Sequence, residues 1–281
     1  MKIKNLLIAI TVLVSTVVSA QTQTENYVKT TTYQKAVQEG AQDQVLESDK
    51  VESVNYFDGL GRAKQSVAVR AGGQKQSTNI VDWTNDWTAG GEHTPLFNMN
   101  GQSVDNQRIF ASNPFGEQSL LWKCGNDANS DADGGWNTDY IAVDKNVAYR
   151  YTVWVKRTGS QDGTTYHGTQ NVNNLSGIAN NNPYFWSGDM PNLNQWYLLV
   201  GVVHPHTYTG GNSGISGVYD SNGTKVRNGT DFKWRSNTTT ARFRNYLYYS
   251  IDINVRQYFW NPVLTQIDGN GEPISQLISQ S

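Results

Sequence analysis

Apolar and polar residues alternate along this chain in short runs, and no stretch repeats its apolar residues at the helical period. In the C-terminal two thirds the alternation predicts strands over 119–124, 148–157, 164–169, 196–203, 241–250 and 255–266. Nearer the N-terminus it predicts strands over 26–33, 51–57 and 65–70, with Asp58-Gly59-Leu60-Gly61 supplying the positive-φ residues of a tight hairpin. The segments 171–182 and 208–217 are rich in Asn, Gly, Ser and Thr and read as surface loops. Gly72-Gly73-Gln74-Lys75-Gln76-Ser77 reads as a linker. Strands separated by polar loops, without βαβ spacing, predict an all-β fold: a jelly-roll β-sandwich over 79–281, preceded by a small β-rich segment over 21–78.

Composition agrees: 9 Trp, 15 Tyr and 8 Phe suit half-buried pleated surfaces, and 26 Gly suit the turns between them. Residues 1–20 have the form of a signal peptide, with Lys2 and Lys4, an apolar run over 6–18 and small residues at Ser19 and Ala20. That run is shorter than the ~20 residues that cross a bilayer. The expectation is a secreted or cell-surface product with no membrane span after cleavage. With 22 basic and 24 acidic residues, no broad field favours nucleic acid or an anionic membrane. The single cysteine, Cys124, excludes an internal disulfide, and its place in a strand predicts a buried thiol.

Glu25-Asn26-Tyr27-Val28, Thr32-Tyr33-Gln34-Lys35 and Tyr56-Phe57-Asp58-Gly59-Leu60-Gly61-Arg62 resemble the N-terminal domain of exported bacterial RHS or YD-repeat proteins. Only one YD-like unit is present, so a long repeat architecture is not expected. The runs 149–156, 195–200 and 258–264 resemble strands of jelly-roll carbohydrate-binding modules. The resemblances imply a secreted, non-catalytic recognition module that binds polysaccharide or cell-surface glycan as part of an RHS-type protein.

Strand periodicity places Arg150 and Trp154 on one face, opposite Tyr149, Tyr151, Val153 and Val155. The same split sets Arg244, Tyr246 and Tyr248 against Phe243, Asn245 and Leu247, and Arg256, Tyr258 and Trp260 against Val255, Gln257 and Phe259. If these strands are neighbours, the eight residues Arg150, Trp154, Arg244, Tyr246, Tyr248, Arg256, Tyr258 and Trp260 form a platform. Its rings would stack on the C–H faces of sugars while its guanidinium groups bond hydroxyls. The alternative is that these aromatics are core.

Asp127, Asn129, Asp131 and Asp133 place oxygen ligands at every second position, as at the opening of a calcium loop, but the closing glutamate is missing. A structural calcium and a solvated turn stand as alternatives here. His204-Pro205-His206 lacks a third zinc ligand and reads as a surface turn. No Gly-x-Ser-x-Gly, His-Glu-x-x-His, phosphate-binding or dinucleotide motif occurs. A polysaccharide-degrading enzyme remains an alternative, with Glu117, Asp139, Asp189, Asp231 and Asp252 as candidate acids. A purely structural surface domain is the third reading. Oligomeric state is not legible in the sequence.

Overall fold

The computed structural model describes residues 26–33, 50–57, 63–69, 79–90, 96–268, 271 and 273–278. The signal-peptide segment and the Asp58-to-Arg62 turn lie outside the described residues. The chain divides into two compact units, residues 1–76 and 77–281. The first contains an antiparallel meander of β1 (Asn26–Tyr33), β2 (Lys50–Phe57) and β3 (Ala63–Val69), paired in that order. Tyr27 and Tyr56, cross-strand partners, bring their ring centroids to 6.0 Å. Such pairs are the unit of sheet stabilisation.

The second unit opens with the short helix α1 (Trp83–Asp86), β4 (Phe97–Met99), β5 (Asn106–Ser112), β6 (Gln118–Cys124), β7 (Ala132–Thr138) and β8 (Ile141–Ala142). Next come β9 (Ala148–Thr158), β10 (Thr164–Gly168), β11 (Val172–Asn174), β12 (Ala179–Asn180), β13 (Tyr184–Gly188) and β14 (Trp196–His204). It ends with β15 (Gly217–Tyr219), β16 (Lys225–Asn228), β17 (Phe232–Trp234), β18 (Thr240–Ala241), β19 (Arg244–Tyr248), β20 (Arg256–Ile267) and the short helix α2 (Ile274–Leu277). No helix among the described residues is long and apolar enough to cross a membrane.

Two sheets dominate: a five-stranded one ordered β13-β10-β19-β7-β4 and a ten-stranded one whose centre runs β14-β9-β20-β6-β5. Along the chain, β6, β7, β9 and β10 pair in reverse with β20, β19, β14 and β13, all antiparallel. That nesting is a long hairpin rolled up on itself, the topology of a jelly roll. The sheets meet face to face through rings from both: Trp136 on β7 lies 6.0 Å from Phe259 on β20, and Tyr151 on β9 lies 5.2 Å from Phe185 on β13. Cys124 is buried at this interface and its thiol pKa is pushed up by burial.

Three expectations are corrected. The 171–182 segment contains β11 and β12, because Val172 enters the core and draws its backbone onto β17. The 241–250 run is broken into β18 and β19, which pair in different sheets. His204 is no surface turn: it ends β14 buried, its Nε2 3.0 Å from Asp231 Oδ2 and its ring stacked on Tyr208.

Candidate ligand-binding face

The eight predicted site residues do not form one platform. β9 and β20 are neighbours in the ten-stranded sheet, but β19 lies in the other sheet. Around Trp154 and Trp260 the predicted face is sealed. Trp154 and Trp260 are cross-strand partners, at 2 % and 7 % exposure. Phe115 stands edge-on to both and Trp83 edge-on to Trp260. The cover is a strap over residues 79–90, pinned where Leu264 N bonds Asn79 Oδ1 and Trp83 Nε1 bonds Asn261 Oδ1. Arg150 is buried too. Period-two reasoning found the faces correctly but could not see that β9 is covered on both.

Further along the same outer face, Tyr258 is half-buried beside Lys156, whose ammonium sits between Tyr258 and Trp196 at 5.2 and 4.8 Å from their ring centroids. Arg256 turns away to pair with Asp127 at 3.0 Å.

The outer face of the five-stranded sheet carries the remaining three. On β19, Asn245 and Leu247 point into the core, so Arg244, Tyr246 and Tyr248 point outward. In register beside them on β10 are Gly168, Tyr166 and Thr164, and beyond Gly168 on β13 stands Tyr184. The tyrosine rings touch: Tyr166 lies 4.6 Å from Tyr184 and 5.9 Å from Tyr248, and Tyr246 lies 5.6 Å from Tyr248. Arg244 spreads over Tyr184 at 4.7 Å and Tyr246 at 5.6 Å, and donates to Asn182 Oδ1 at 2.9 Å. Tyr246 donates to Asn137 Oδ1 on β7, and Tyr248 donates to Asn100 Oδ1 at 3.1 Å.

Exposure divides this cluster. Arg244 and Tyr246, at 5 % and 6 %, are floor, whereas Tyr166, Tyr184 and Tyr248 are half-buried, with part of each side chain reaching solvent. Arg244 and Tyr246 thus lie beneath the more open rings rather than being the exposed contacts expected of them. Burial keeps the Tyr246 phenol protonated, its pKa pushed well above the usual range. Tyr166 and Tyr184 were missed by sequence reasoning. The alternation of 164–169 already put Tyr166 opposite the buried Thr165 and His167, but Tyr184 follows an Asn-rich stretch with no period to read.

The four candidate calcium ligands separate. Asp127, Asn129 and Asp131 are exposed, Asp127 paired with Arg256, whereas Asp133 is 1 % exposed on β7. The second half of the supposed loop is strand because Gly134 and Gly135, at φ 109° and 108°, pack where a Cβ would collide with Cys124 and with the Asn245 carbonyl. Asp133 Oδ2 accepts the Ser250 N–H at 2.7 Å. No group of three or more His, Cys, Asp or Glu side chains suited to a metal occurs among the described residues.

The five candidate acids are also dispersed. Glu117 bonds Asn113 in the β5–β6 turn, and Asp231 is buried between His204 and Ser216. Asp189 follows β13 and Asp252 precedes β20. Asp139 accepts from Asn98, the β4 partner of Asn137. The Ser216–Asp231–His204 chain has its carboxylate in the middle, so the histidine cannot take the serine proton directly.

Residues 29–85 match the model of a family described as a domain of unknown function, DUF6443. No curated protein sequence matches the chain. Among solved structures, an exo-beta-agarase is similar over 70 % of this chain and 26 % of its own, at 10 % identity and a TM-score of 0.41. TmCBM61 in complex with beta-1,4-galactotriose is similar over 68 % of this chain and 99 % of its own, at 12 % identity and 0.37. The CBM22-1 and GH10 modules of Clostridium thermocellum xylanase 10B, complexed with xylohexaose, are similar over 66 % and 28 %, at 15 % identity and 0.36. The chain therefore spans about a quarter of the agarase.

Proposed function

We propose that this chain is an exported, non-catalytic glycan-recognition protein of RHS type, and that the tyrosine face of its five-stranded sheet is the binding surface. The observation that carries the reading is the contiguous set Tyr184, Tyr166 and Tyr248, partly open to solvent over a floor of Arg244 and Tyr246 and flanked by Asn137, Asn182 and Asn100. Flat rings stack on the C–H faces of pyranoses, while phenol and amide groups exchange hydrogen bonds with their hydroxyls. Rings locked by neighbours lose little entropy on binding. Of the five acids considered, Glu117 and Asp231 are engaged away from this face, with Asn113 and with His204 and Ser216, and glycoside hydrolysis in most families needs a carboxylate pair.

On a broad polysaccharide panel, the full chain should bind at least one neutral glycan. Tyr166→Ala and Tyr248→Ala should each weaken it by about 10-fold, the loss of ~1.4 kcal/mol expected for one stacking contact. Tyr258→Ala, in the opposite sheet, should leave binding unchanged. Release of reducing ends from any panel member would overturn the non-catalytic reading.

A further inference from the structure

At the Tyr248 end of the tyrosine face the sheet gives way to an open cleft of about 840 Å³. One wall is the segment 126–131 and the other is the loop from Tyr249 to Ile253. That loop holds apolar side chains in solvent: Ile251 is 90 % exposed, Ile253 69 % and Tyr249 58 %. Isolated exposed apolar residues are ordinary, but three within five positions around a cleft are a concentration that calls for an explanation.

The loop is braced. Tyr249 is held at φ 65°, a left-handed conformation unfavourable for a bulky side chain, by its N–H bond to Asp131 O at 2.8 Å. Asp162 Oδ2 accepts the N–H groups of Ile251 and Asp252 at 2.6 and 3.0 Å, and Asn126 Nδ2 donates to Ser250 O at 2.9 Å. The facing wall is held in turn by Asp105, 3 % exposed, whose Oδ1 accepts from Asp127 N and Ala128 N. Backbone bonds thus fix both walls while the isoleucine side chains remain uncovered.

Their chemistry is complementary to one kind of ligand. The 126–131 wall offers acceptors at Asp127, Asn129 and Asp131, suited to hydroxyl or amide donors, while Ile251 and Ile253 supply an apolar contact that a fully hydroxylated sugar would not fill. The Tyr248 and Tyr249 rings, 5.4 Å apart, make the cleft continuous with the tyrosine face. We infer that the cleft is an end subsite for a methyl-bearing sugar, 6-deoxy or N-acetylated, at the terminus of the glycan lying on that face; the inference rests on the glycan-binding reading.

The test uses immobilised oligosaccharides in matched sets differing only at the terminal residue: a 6-deoxy sugar, an N-acetyl sugar, or the parent sugar with hydroxyls at both positions. Wild type should favour at least one methyl-bearing member by roughly 10-fold, the size of a single apolar contact in a pocket. The 6-deoxy and N-acetyl arms identify which methyl is read. Ile251→Ser with Ile253→Ser should abolish that preference while leaving affinity for the parent sugar within about 2-fold. Tyr166→Ala should weaken all members alike. Equal wild-type affinity across the sets, or a preference that survives the double serine variant, overturns the subsite and leaves the face reading intact. Absence of wild-type binding to every member overturns both. The isoleucines are exposed, so an unchanged melting temperature is expected and separates lost preference from misfolding.

Discussion

At the residue scale, two buried titratable groups set opposing pH dependences. Burial raises Asp133 from 3.8 to about 6, so its ionisation costs stability as pH rises through that window. Burial lowers His167 from 6.5 to about 4, its Nδ1 bonded to Asn245 Oδ1, so stability is lost as pH falls from 6.5 toward 4. The two effects act against each other between pH 4 and 6. Asp133→Asn should therefore stabilise the protein by about 1 kcal/mol at pH 7.5. It should also unmask the histidine, so that the melting temperature falls more steeply between pH 6.5 and 4 than in wild type; a flatter profile would contradict the assignment. The residue types were visible in the sequence, but that Asp133 is buried and Asp131 exposed follows from β7, whose Gly-Gly pair carried no strand signal.

At the element scale, one end of the sandwich is tied by Arg157, fully buried on β9. It donates to Gln161 O, Gly163 O, Thr165 Oγ1 and Gln257 Oε1, and Gln257 in turn donates to Tyr246 O. The network joins β9 and β20 of one sheet to β10 and β19 of the other, directly beneath the tyrosine face. Burial lowers the guanidinium pKa to about 10, leaving it charged at neutral pH. Arg157→Met should cost about 3 kcal/mol, because several buried acceptors lose their donor at once. Chemical denaturation would measure that cost. The alternation of 148–157 was legible as a strand, yet it predicted solvent on one side. Strap residues 79–90, remote in sequence, supply the cover.

At the scale of the whole molecule, the main core draws its members from Ile80 to Ile278, all within the second unit. A fragment spanning 77–281 should thus fold alone with the melting temperature of the full chain, measurable by calorimetry. A fragment that fails to melt cooperatively would show that the first unit completes the core. The sequence by itself determined the all-β class, the longer strands such as β9, β14 and β20, and which of their residues share a face, since these depend on local alternation and turn chemistry, whereas β5, β7 and β13 were not read from it. Only the tertiary structure decided which faces meet solvent. The jelly-roll winding put β19 in the opposite sheet from β9 and β20, sealed Trp154 and Trp260 under the strap, and gathered Tyr166, Tyr184, Tyr246 and Tyr248 from three strands. Burial of a face depends on what the chain brings across it from afar, and a period of two contains no information about that.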